Sequence, residues 1–398
     1  MKKIVILNLF IFLSFLTTIP TTLLKQLKGS ANHNADVTWT IVGAGPAGIA
    51  VVGLLLDLGV DGQTITWVDP DFNIGRLGKY YYHVPGNAKA MDYITFVNQC
   101  HTFQEYSSPA LDSLRTHDPH EFCTLAIIID PLQDLTHYLR GKVVARKNRL
   151  TELSFENDEW HIKLNNSMQF SSHNVVLATG SHPQTLNYPC KEEVPLDLAL
   201  DKATLTKLIE RDDTIALVGG SHSAILILKY LYELGTQRVI NFFKHPITYY
   251  FDMGEGNPTN SGGLRGTVAK WAYYTLEKEH PSNILRLQNT LSARNSWLPI
   301  CDKIIYAIGY ERNEIPLLDS GNSPLNYDSS TGLISPRLFG IGIAFPEQVV
   351  DEETGKPRNL IGLFDFMTYA QQIIPEWMKK YPHKHLLRFA DLFTITLL

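Results

Sequence analysis

A strand, turn, helix and strand between Thr38 and Asp69 constrain this chain more than any other stretch. A short apolar strand leads into Gly43-Ala44-Gly45-Pro46-Ala47-Gly48, an apolar helix over 49–58 follows, and a second strand ends at Asp69. In the dinucleotide fingerprint, the three glycines permit the turn, the approach of a pyrophosphate and close helix packing. The helix N-terminus offers N–H groups to phosphates, and the acid accepts a ribose hydroxyl. The stretch therefore predicts a dinucleotide site.

Length and charge narrow the class of protein. A chain of 398 residues exceeds one average domain, and 44% hydrophobic residues are enough for a full core. The net charge of -5 gives no reason to expect a nucleic acid as partner. We therefore expect a globular protein of two or three domains that acts on a small molecule.

The cysteines indicate no redox or metal motif. Cys100, Cys123, Cys190 and Cys301 lie far apart, and none belongs to a CxxC pair. This spacing argues against a thiol–disulfide active site, a zinc knuckle and an iron–sulfur site. We expect unpaired, mostly buried thiols and no metal centre.

Residues 1–35 form a hydrophobic segment that resembles an anchor or a signal. Lys2 and Lys3 precede an apolar run over 4–16, and an extension to Leu24 is just long enough to span a bilayer. We favour an uncleaved membrane anchor with a cytoplasmic catalytic domain. A soluble cytoplasmic protein with a misplaced start and an exported protein with a cleaved signal stay open.

A second unit of the same kind begins near residue 213. A strand over 213–218 leads into Gly219-Gly220-Ser221-His222-Ser223-Ala224, a helix over 225–234 follows, and a strand covers Arg238 to Phe243. The residue 26 positions after the first glycine is Asp69 in the first unit and His245 in the second, with Lys244 beside it. An acid there favours a free ribose hydroxyl and a cation favours a 2′-phosphate. The pattern predicts an adenine dinucleotide without that phosphate in the first unit and NADPH in the second.

The remaining patterns place loops and strands around these two units. Residues 71–89, which include Arg76, have no regular period and predict a long loop, and such loops after strands often line ligand sites. Strands are expected over 142–146, 150–155, 159–164 and 168–176 as a small antiparallel ribbon, and helices over 132–139 and 362–374. Further small-residue turns where a backbone can approach a cofactor lie at Thr179 and Gly180, at Gly309, and at Gly340 and Gly342 within a strand over 338–345.

These motifs resemble the two-dinucleotide-binding flavoprotein superfamily. Within it they are most similar to the FAD- and NADPH-dependent monooxygenases, the class of flavin-containing monooxygenases and ornithine and lysine N-hydroxylases. The Gly43 turn resembles the FAD motif, and the Gly219 turn resembles the NADPH motif, in which serine often replaces the second glycine. Residues 302–310 with Pro316 are similar to a late DxxxxATGY element, with Ile308 in place of threonine. Asn87-Ala88-Lys89-Ala90-Met91 looks like the Asn-rich segment of that class.

The resemblance covers 36–398 and implies an α/β fold of two Rossmann-like domains with a small antiparallel ribbon. An NADPH domain at 185–311 is then inserted into an FAD domain formed by 36–184 and 312–398. The implied chemistry is hydride transfer from NADPH to the flavin, followed by oxygen transfer to a nucleophilic nitrogen or sulfur. The resemblance implies Asn87 as the residue nearest the flavin, with Lys89 and Arg76 beside it.

Two departures keep other activities open. The FxGxxxHxxxY signature of several of these monooxygenases is not found, and Ile308 weakens the late motif. An FAD-dependent reductase that passes electrons to a quinone or a protein partner is the alternative, and a non-catalytic nucleotide sensor is a further one. The missing CxxC speaks against the disulfide-reductase branch.

Overall fold

The computed structural model describes residues 37–188, 192–250, 263–315, 326–351 and 355–382. Within these ranges, no helix combines the length and the apolar composition that a bilayer crossing requires. The predicted anchor over 1–35 and the Pro316 of the late motif lie outside the described residues.

The first glycine turn belongs to a mainly parallel sheet. Strand β1 (Trp39–Val42) is fully buried and pairs in parallel with β2 (Ile65–Asp69) and with β9 (Asn174–Leu177). Beyond β2 lies β5 (Val144–Lys147), and beyond β9 lie β18 (Leu338–Gly340) and the antiparallel edge strand β17 (Leu333–Ser335). Parallel neighbours require crossover connections, so helices cover this sheet.

The helices of the first unit pack against this sheet. Helix α1 (Pro46–Asp57) is almost entirely apolar because it is buried between the sheet and the last helix. Phe339 of the sheet stacks on Trp377 of that last helix with ring centroids 4.3 Å apart. The other helices are α2 (Gly75–Tyr80), α3 (Ala90–Asn98), α4 (His101–Gln104), α5 (Pro109–Arg115), α6 (Ala126–Arg140) and, at the end of the described chain, α12 (Leu363–Lys380).

Short antiparallel sheets flank the first unit. β6 (Leu150–Glu156), β7 (Glu159–Leu164) and β8 (Gln169–Ser172) form the predicted ribbon. The predicted outer members of that ribbon belong elsewhere, because β5 and β9 pair in parallel with the main sheet. The remaining pairs are β3 (Pro85–Lys89) with β4 (Phe122–Thr124), β10 (Ser181–Pro183) with β16 (Tyr310–Arg312), and β19 (Glu347–Val350) with β20 (Pro357–Leu360).

The second glycine turn belongs to a separate parallel sheet. Its order is β11 (Glu192–Glu193), β15 (Lys303–Tyr306), β12 (Thr214–Val218), β13 (Arg238–Phe243) and β14 (Ile284–Gln288). Its helices are α7 (Leu196–Ala199), α8 (Lys202–Leu208), α9 (His222–Glu233), α10 (Gly266–Trp271), which continues as a π-helical segment over Ala272–Glu279, and α11 (Leu291–Trp297). The predicted α/β fold with two Rossmann-like units and an antiparallel ribbon is confirmed.

Three predictions of local structure are wrong. The predicted loop over 71–89 contains α2 and β3, and β3 is stabilised by pairing with β4 more than thirty residues later. The helix expected over 132–139 is present as α6, but its predicted start is wrong, because α6 begins at Ala126 and carries Pro131 inside it, with Ile128 and Ile129 buried. The strand expected over 338–345 ends at Gly340, since Gly342 at φ +80° turns the chain into a short 3₁₀ helix.

Candidate functional site

A cavity of about 1170 Å³ lies where β1, β2 and β9 end. Ligand pockets for drug-sized molecules are smaller, at roughly 300–1,000 Å³, so this cavity has room for a dinucleotide. Its position at the carboxyl ends of parallel strands is the usual ligand position of such sheets. Predicted site residues that line it are Gly43, Gly45, Pro46, Asp69, Arg76, Thr179 and Gly180.

The first turn is packed to its limit on the protein side and open on the cavity side. Gly43 has φ +111°, and a Cβ there would lie 2.2 Å from the carbonyl oxygen of Ala178. A Cβ on Gly48 would lie 2.0 Å from the carbonyl oxygen of Gly43. A Cβ on Gly45 would meet nothing within 4 Å. The first and third glycines are therefore required by packing, whereas the space at Gly45 fits a phosphate group.

Asp69 holds the turn together. Its Oδ2 accepts a hydrogen bond of 2.8 Å from the Ala44 N–H, and its Oδ1 accepts from the N–H groups of Asp71 and Phe72 at 2.8 and 2.6 Å. The side chain is only 7% exposed, yet it lines the cavity. A carboxylate offers about four acceptor positions, so one remains for the predicted ribose hydroxyl.

A second group of cavity residues follows β9. Thr179 Oγ1 is buried and has no hydrogen-bond partner among the described residues, although it lies in the cavity lining. Gly180 adopts φ +71°, and the Asn313 side-chain amide donates to the Thr179 carbonyl over 2.7 Å. Because buried polar atoms are normally bonded, the orphaned hydroxyl indicates a position that a ligand completes. An unpaired hydroxyl and a small-residue turn in the cavity lining are features that a binding site for FAD requires.

Arg76 lies at the border between the two units. Its guanidinium forms an ion pair with Asp197, which belongs to α7 of the second unit and is 7% exposed. The Tyr81 hydroxyl donates to the same carboxylate over 2.5 Å and lies 2.9 Å from the Tyr310 hydroxyl. Burial raises the pKa of Tyr310, so it stays a neutral hydroxyl at physiological pH. Sequence reasoning missed Tyr81 and Asp197, since no motif marks them, and it placed Tyr310 in the late motif without a role.

The second turn repeats the plan of the first. Gly219 has φ +143°, and a Cβ there would lie 2.3 Å from the carbonyl oxygen of Ala307. Helix α9 begins after Ser221 without a side-chain cap, so its first N–H groups are available to a phosphate. The predicted residues Ser223 and Ala224 lie in the first turn of this helix, and Ala224 is fully buried. The geometry is that of a second phosphate-binding turn.

The basic end of this second site contains Arg286 in addition to the predicted Lys244. Lys244 follows β13 and is exposed. Arg286 on β14 lies 4.5 Å from the Phe243 ring, and its Nε–H donates to Asn241 over 3.1 Å. One terminal nitrogen of Arg286 is buried without a hydrogen-bond partner in the described part of the chain. Sequence reasoning missed Arg286 because it lies 42 residues after Lys244 and belongs to no motif.

Several predicted residues lie outside the cavity lining. Asn87 and Lys89 are exposed on β3. Gly309, at φ +108°, would meet nothing within 4 Å if it carried a Cβ. Gly340 packs on the Phe345 ring, and Gly342 approaches Ala47 so closely that a Cβ would lie 2.7 Å from the alanine Cβ. The structure thus gives these last two glycines a packing reason that holds without a ligand.

Comparisons with known proteins agree with this geometry. A family model described as FAD-NAD(P)-binding matches residues 40–182. Monooxygenase AgnR1 of Paecilomyces divaricatus is 28% identical, with 85% of this chain and 97% of that protein covered. Among solved structures, ornithine N-hydroxylase of Kutzneria sp. 744 has a TM-score of 0.60 at 13% identity and covers 87% of this chain and 100% of its own. Bacillithiol disulfide reductase of Staphylococcus aureus has a TM-score of 0.56 at 12% identity, with 87% and 99% covered.

These findings confirm the type of protein that the motifs predict. The chain has the two-dinucleotide-binding flavoprotein fold, and the predictions of an oxidoreductase that uses FAD and NADPH are confirmed. The domain boundaries at 184 and 311 and the roles of individual site residues stay predictions.

Proposed function

We propose that this flavoprotein, an FAD- and NADPH-dependent oxidoreductase, is a monooxygenase that oxidises a nucleophilic nitrogen or sulfur of a small molecule. The observation that carries the proposal is the pair of matching turns, with a buried acid at the end of β2 and an exposed cation after β13. The full-length relative named as a monooxygenase supports the same reaction class. In the balanced reaction, substrate, O₂, NADPH and a proton give oxygenated substrate, NADP⁺ and water.

The residues of the first turn would hold FAD. Gly45 leaves space for the pyrophosphate, Asp69 has an acceptor left for a ribose hydroxyl, and Thr179 has an unused hydroxyl in the cavity. Bound FAD would supply the redox chemistry, accepting a hydride and activating oxygen. The protein's task is to orient the reactants and to exclude water.

The residues of the second turn would hold NADPH. The uncapped start of α9 presents N–H groups to the pyrophosphate, and Lys244 offers its ammonium to the 2′-phosphate. Arg76, Tyr81 and Tyr310 line the cavity and contact Asp197 of the second unit directly or through one another. We therefore infer that they set the distance between the two cofactors.

The test is oxygen transfer by the purified FAD-loaded protein. Under ¹⁸O₂ with NADPH and a panel of small amines and thioethers, we expect one compound to stimulate NADPH oxidation and to gain one ¹⁸O atom, read by mass spectrometry. The same mixture without NADPH is the control. If NADPH is oxidised with stoichiometric hydrogen peroxide and no labelled product from any nucleophile, the monooxygenase proposal is wrong and the reductase alternative stands.

A flavin-contacting role for Asn87 stays part of the proposal. In that role Asn87→Ala lowers kcat at least about tenfold, as loss of one positioned donor usually does. Asn166→Ala, at an exposed turn before β8, is the matched control and leaves kcat unchanged. Equal rates for both variants would remove Asn87 from the site, and Lys89→Ala tests its neighbour in the same assay.

Membrane attachment through residues 1–35 also stays a proposal. Cell fractionation of the full chain and of a chain that begins at residue 36 tests it. We expect only the full chain to sediment with membranes, and equal distribution of both would discard the anchor.

A further inference from the structure

Three side chains of different chemistry converge between α5 and β4. His117 Nε2 lies 3.0 Å from Cys123 Sγ and 3.1 Å from Glu121 Oε2. All three atoms lie within 4.8 Å of one another. The cluster escaped sequence reasoning because cysteines were compared only with other cysteines, whereas this set joins one thiol to an imidazole and a carboxylate.

The three groups meet at one imidazole nitrogen, and the Cys123 thiol has the Glu121 carbonyl as a second, weak acceptor at 3.9 Å. Both neighbours approach the same imidazole nitrogen, which has either one hydrogen or one lone pair. If the nitrogen carries a hydrogen, it donates to the Glu121 carboxylate. If it carries a lone pair, it accepts from the Cys123 thiol and repels the carboxylate. A cation at the centre satisfies all three groups at once.

The donor atoms match the preferences of zinc. Imidazole nitrogen, thiolate sulfur and carboxylate oxygen bind Zn²⁺ at about 2.0–2.3 Å, which places tetrahedral ligand atoms roughly 3.3–3.6 Å apart. The two separations from His117 Nε2, 3.0 and 3.1 Å, need a small outward movement to reach that spacing, and the sulfur and carboxylate oxygen, within 4.8 Å of each other, can adjust through the exposed Glu121 side chain. Glu121 and His117 are partly exposed, with 59% and 31% of the side chain accessible, so a cation can enter from solvent.

The backbone that carries the ligands is already fixed. The carbonyl of Glu121 accepts from the Ala90 N–H over 2.9 Å, and the carbonyl of Pro119 accepts from the Met91 N–H over 3.0 Å. A fixed backbone lowers the entropy lost when the ligands close on a metal.

We propose that His117, Glu121 and Cys123 form a binding site for a zinc-type divalent cation, with water in the fourth position. On binding, the Cys123 S–H bond breaks, a sulfur–metal bond forms and the proton passes to solvent, with no change of oxidation state. A bound ion would stabilise the position of β4. Because β4 pairs with β3, it would also stabilise the segment that contains Asn87. Phe122 of β4 also lies against Gly266 of α10, so the ion stiffens a contact between the two units.

The experiment titrates the chelator-treated, FAD-loaded protein with ZnCl₂ by calorimetry and with CoCl₂ by absorbance. We expect one ion per chain and a thiolate-to-cobalt charge-transfer band. His117→Ala and Cys123→Ser weaken zinc binding at least about tenfold, because even outer partners of metal ligands contribute about 10–100-fold. His101→Ala is the matched control, since His101 and Glu105 have the same four-residue spacing, 3.5 Å apart, without a thiol.

A second measurement covers variants that fail to fold, as judged by FAD content and thermal unfolding. In the wild-type protein, zinc is expected to slow alkylation of Cys123 by iodoacetamide several-fold, followed by peptide mass spectrometry, while buried Cys100 stays unmodified as a check that the protein is folded. The proposal is wrong if the wild type binds no zinc, if Cys123→Ser folds and keeps the wild-type affinity, or if zinc leaves the alkylation rate of Cys123 unchanged. It rests on none of the residues proposed to hold FAD or NADPH.

Discussion

The two dinucleotide turns share one backbone plan and differ in how tightly they close. In each, the first glycine donates its N–H over 2.8 Å to the neighbouring strand, Gly43 to Val68 and Gly219 to Phe242. The carbonyl of each glycine also accepts a side-chain hydrogen bond from the next strand. Trp67 supplies it in the first unit over 2.9 Å, and Asn241 supplies it in the second over 2.8 Å.

The difference lies at the third glycine position and at the strand end. Gly48 has no room for a side chain, whereas Ala224 occupies the same place in the second unit with its Cβ 3.2 Å from where a Cβ on Gly219 would lie. Asp69 is buried and bonded to three backbone N–H groups, while Lys244 is exposed. The first turn is thus more tightly packed and bonded than the second.

The strongest way to break this contrast is to add one methyl group to the first turn. Gly48→Ala places a Cβ against the Gly43 carbonyl and is expected to destabilise the protein by about 3 kcal/mol, the upper range of overpacking. The reverse change in the second unit, Ala224→Gly, is expected to cost only about 1 kcal/mol. Urea unfolding and the ratio of FAD to protein measure both. Equal losses would mean that the two turns are equally tight.

Removing the acid of the first unit is expected to have the next largest effect. Asp69→Ala leaves the N–H groups of Ala44, Asp71 and Phe72 without their acceptor, and an unsatisfied buried donor costs about 1–3 kcal/mol. We expect loss of about 2 kcal/mol in urea unfolding and a weakly bound FAD. Retention of wild-type stability would show that water replaces the carboxylate.

Gly45→Ala separates binding from folding in the first turn. The added Cβ meets no protein atom within 4 Å, so the FAD-free protein should unfold at the wild-type urea concentration. The methyl group enters the space assigned to the pyrophosphate, so we expect FAD to bind about tenfold more weakly, equivalent to about 1.4 kcal/mol. Unchanged FAD affinity would place the pyrophosphate elsewhere.

Lys244→Ala tests the second unit, and of these substitutions it is expected to have the smallest effect. Exposed ion pairs are weak, so KM for NADPH should rise only about fivefold while kcat is unchanged. KM for NADH should stay constant, because NADH has no 2′-phosphate. Lys207→Ala, another exposed lysine of the same unit, is the control. A parallel rise of both KM values would assign Lys244 a role other than phosphate recognition.

Local patterns predicted much of this fold. The bounds of β7 and β13 follow from the sequence to the residue, since alternating or β-branched runs end at clear turn residues. Helix α2 and strand β3 could not be predicted, because Ile74 enters the helix with φ 51° and β3 depends on a distant partner strand. Both glycine turns of the site were predictable because their residues are consecutive.

The contacts between the polar groups of the two units were not predictable for a related reason, although Tyr310 itself ends the late motif. Tyr81, Asp197 and Tyr310 lie more than a hundred residues apart in sequence and meet only when the second unit docks on the first. No spacing rule connects them. The contacts that couple two domains are set by docking geometry, which a one-dimensional pattern does not record.

The pairing of β10 with β16 has a consequence for the origin of the molecule. Where the chain leaves the first unit it runs antiparallel to where it returns, with His182 opposite Glu311 and the Gln184 N–H bonded to the Gly309 carbonyl over 3.0 Å. The whole second unit is therefore the loop of one hairpin. Closing a long loop costs little extra entropy. A domain inserted between two adjacent chain ends therefore leaves the core of the surrounding domain intact. A gene that joined residue 184 to 309 by a short turn would therefore encode a host domain with an uninterrupted sheet.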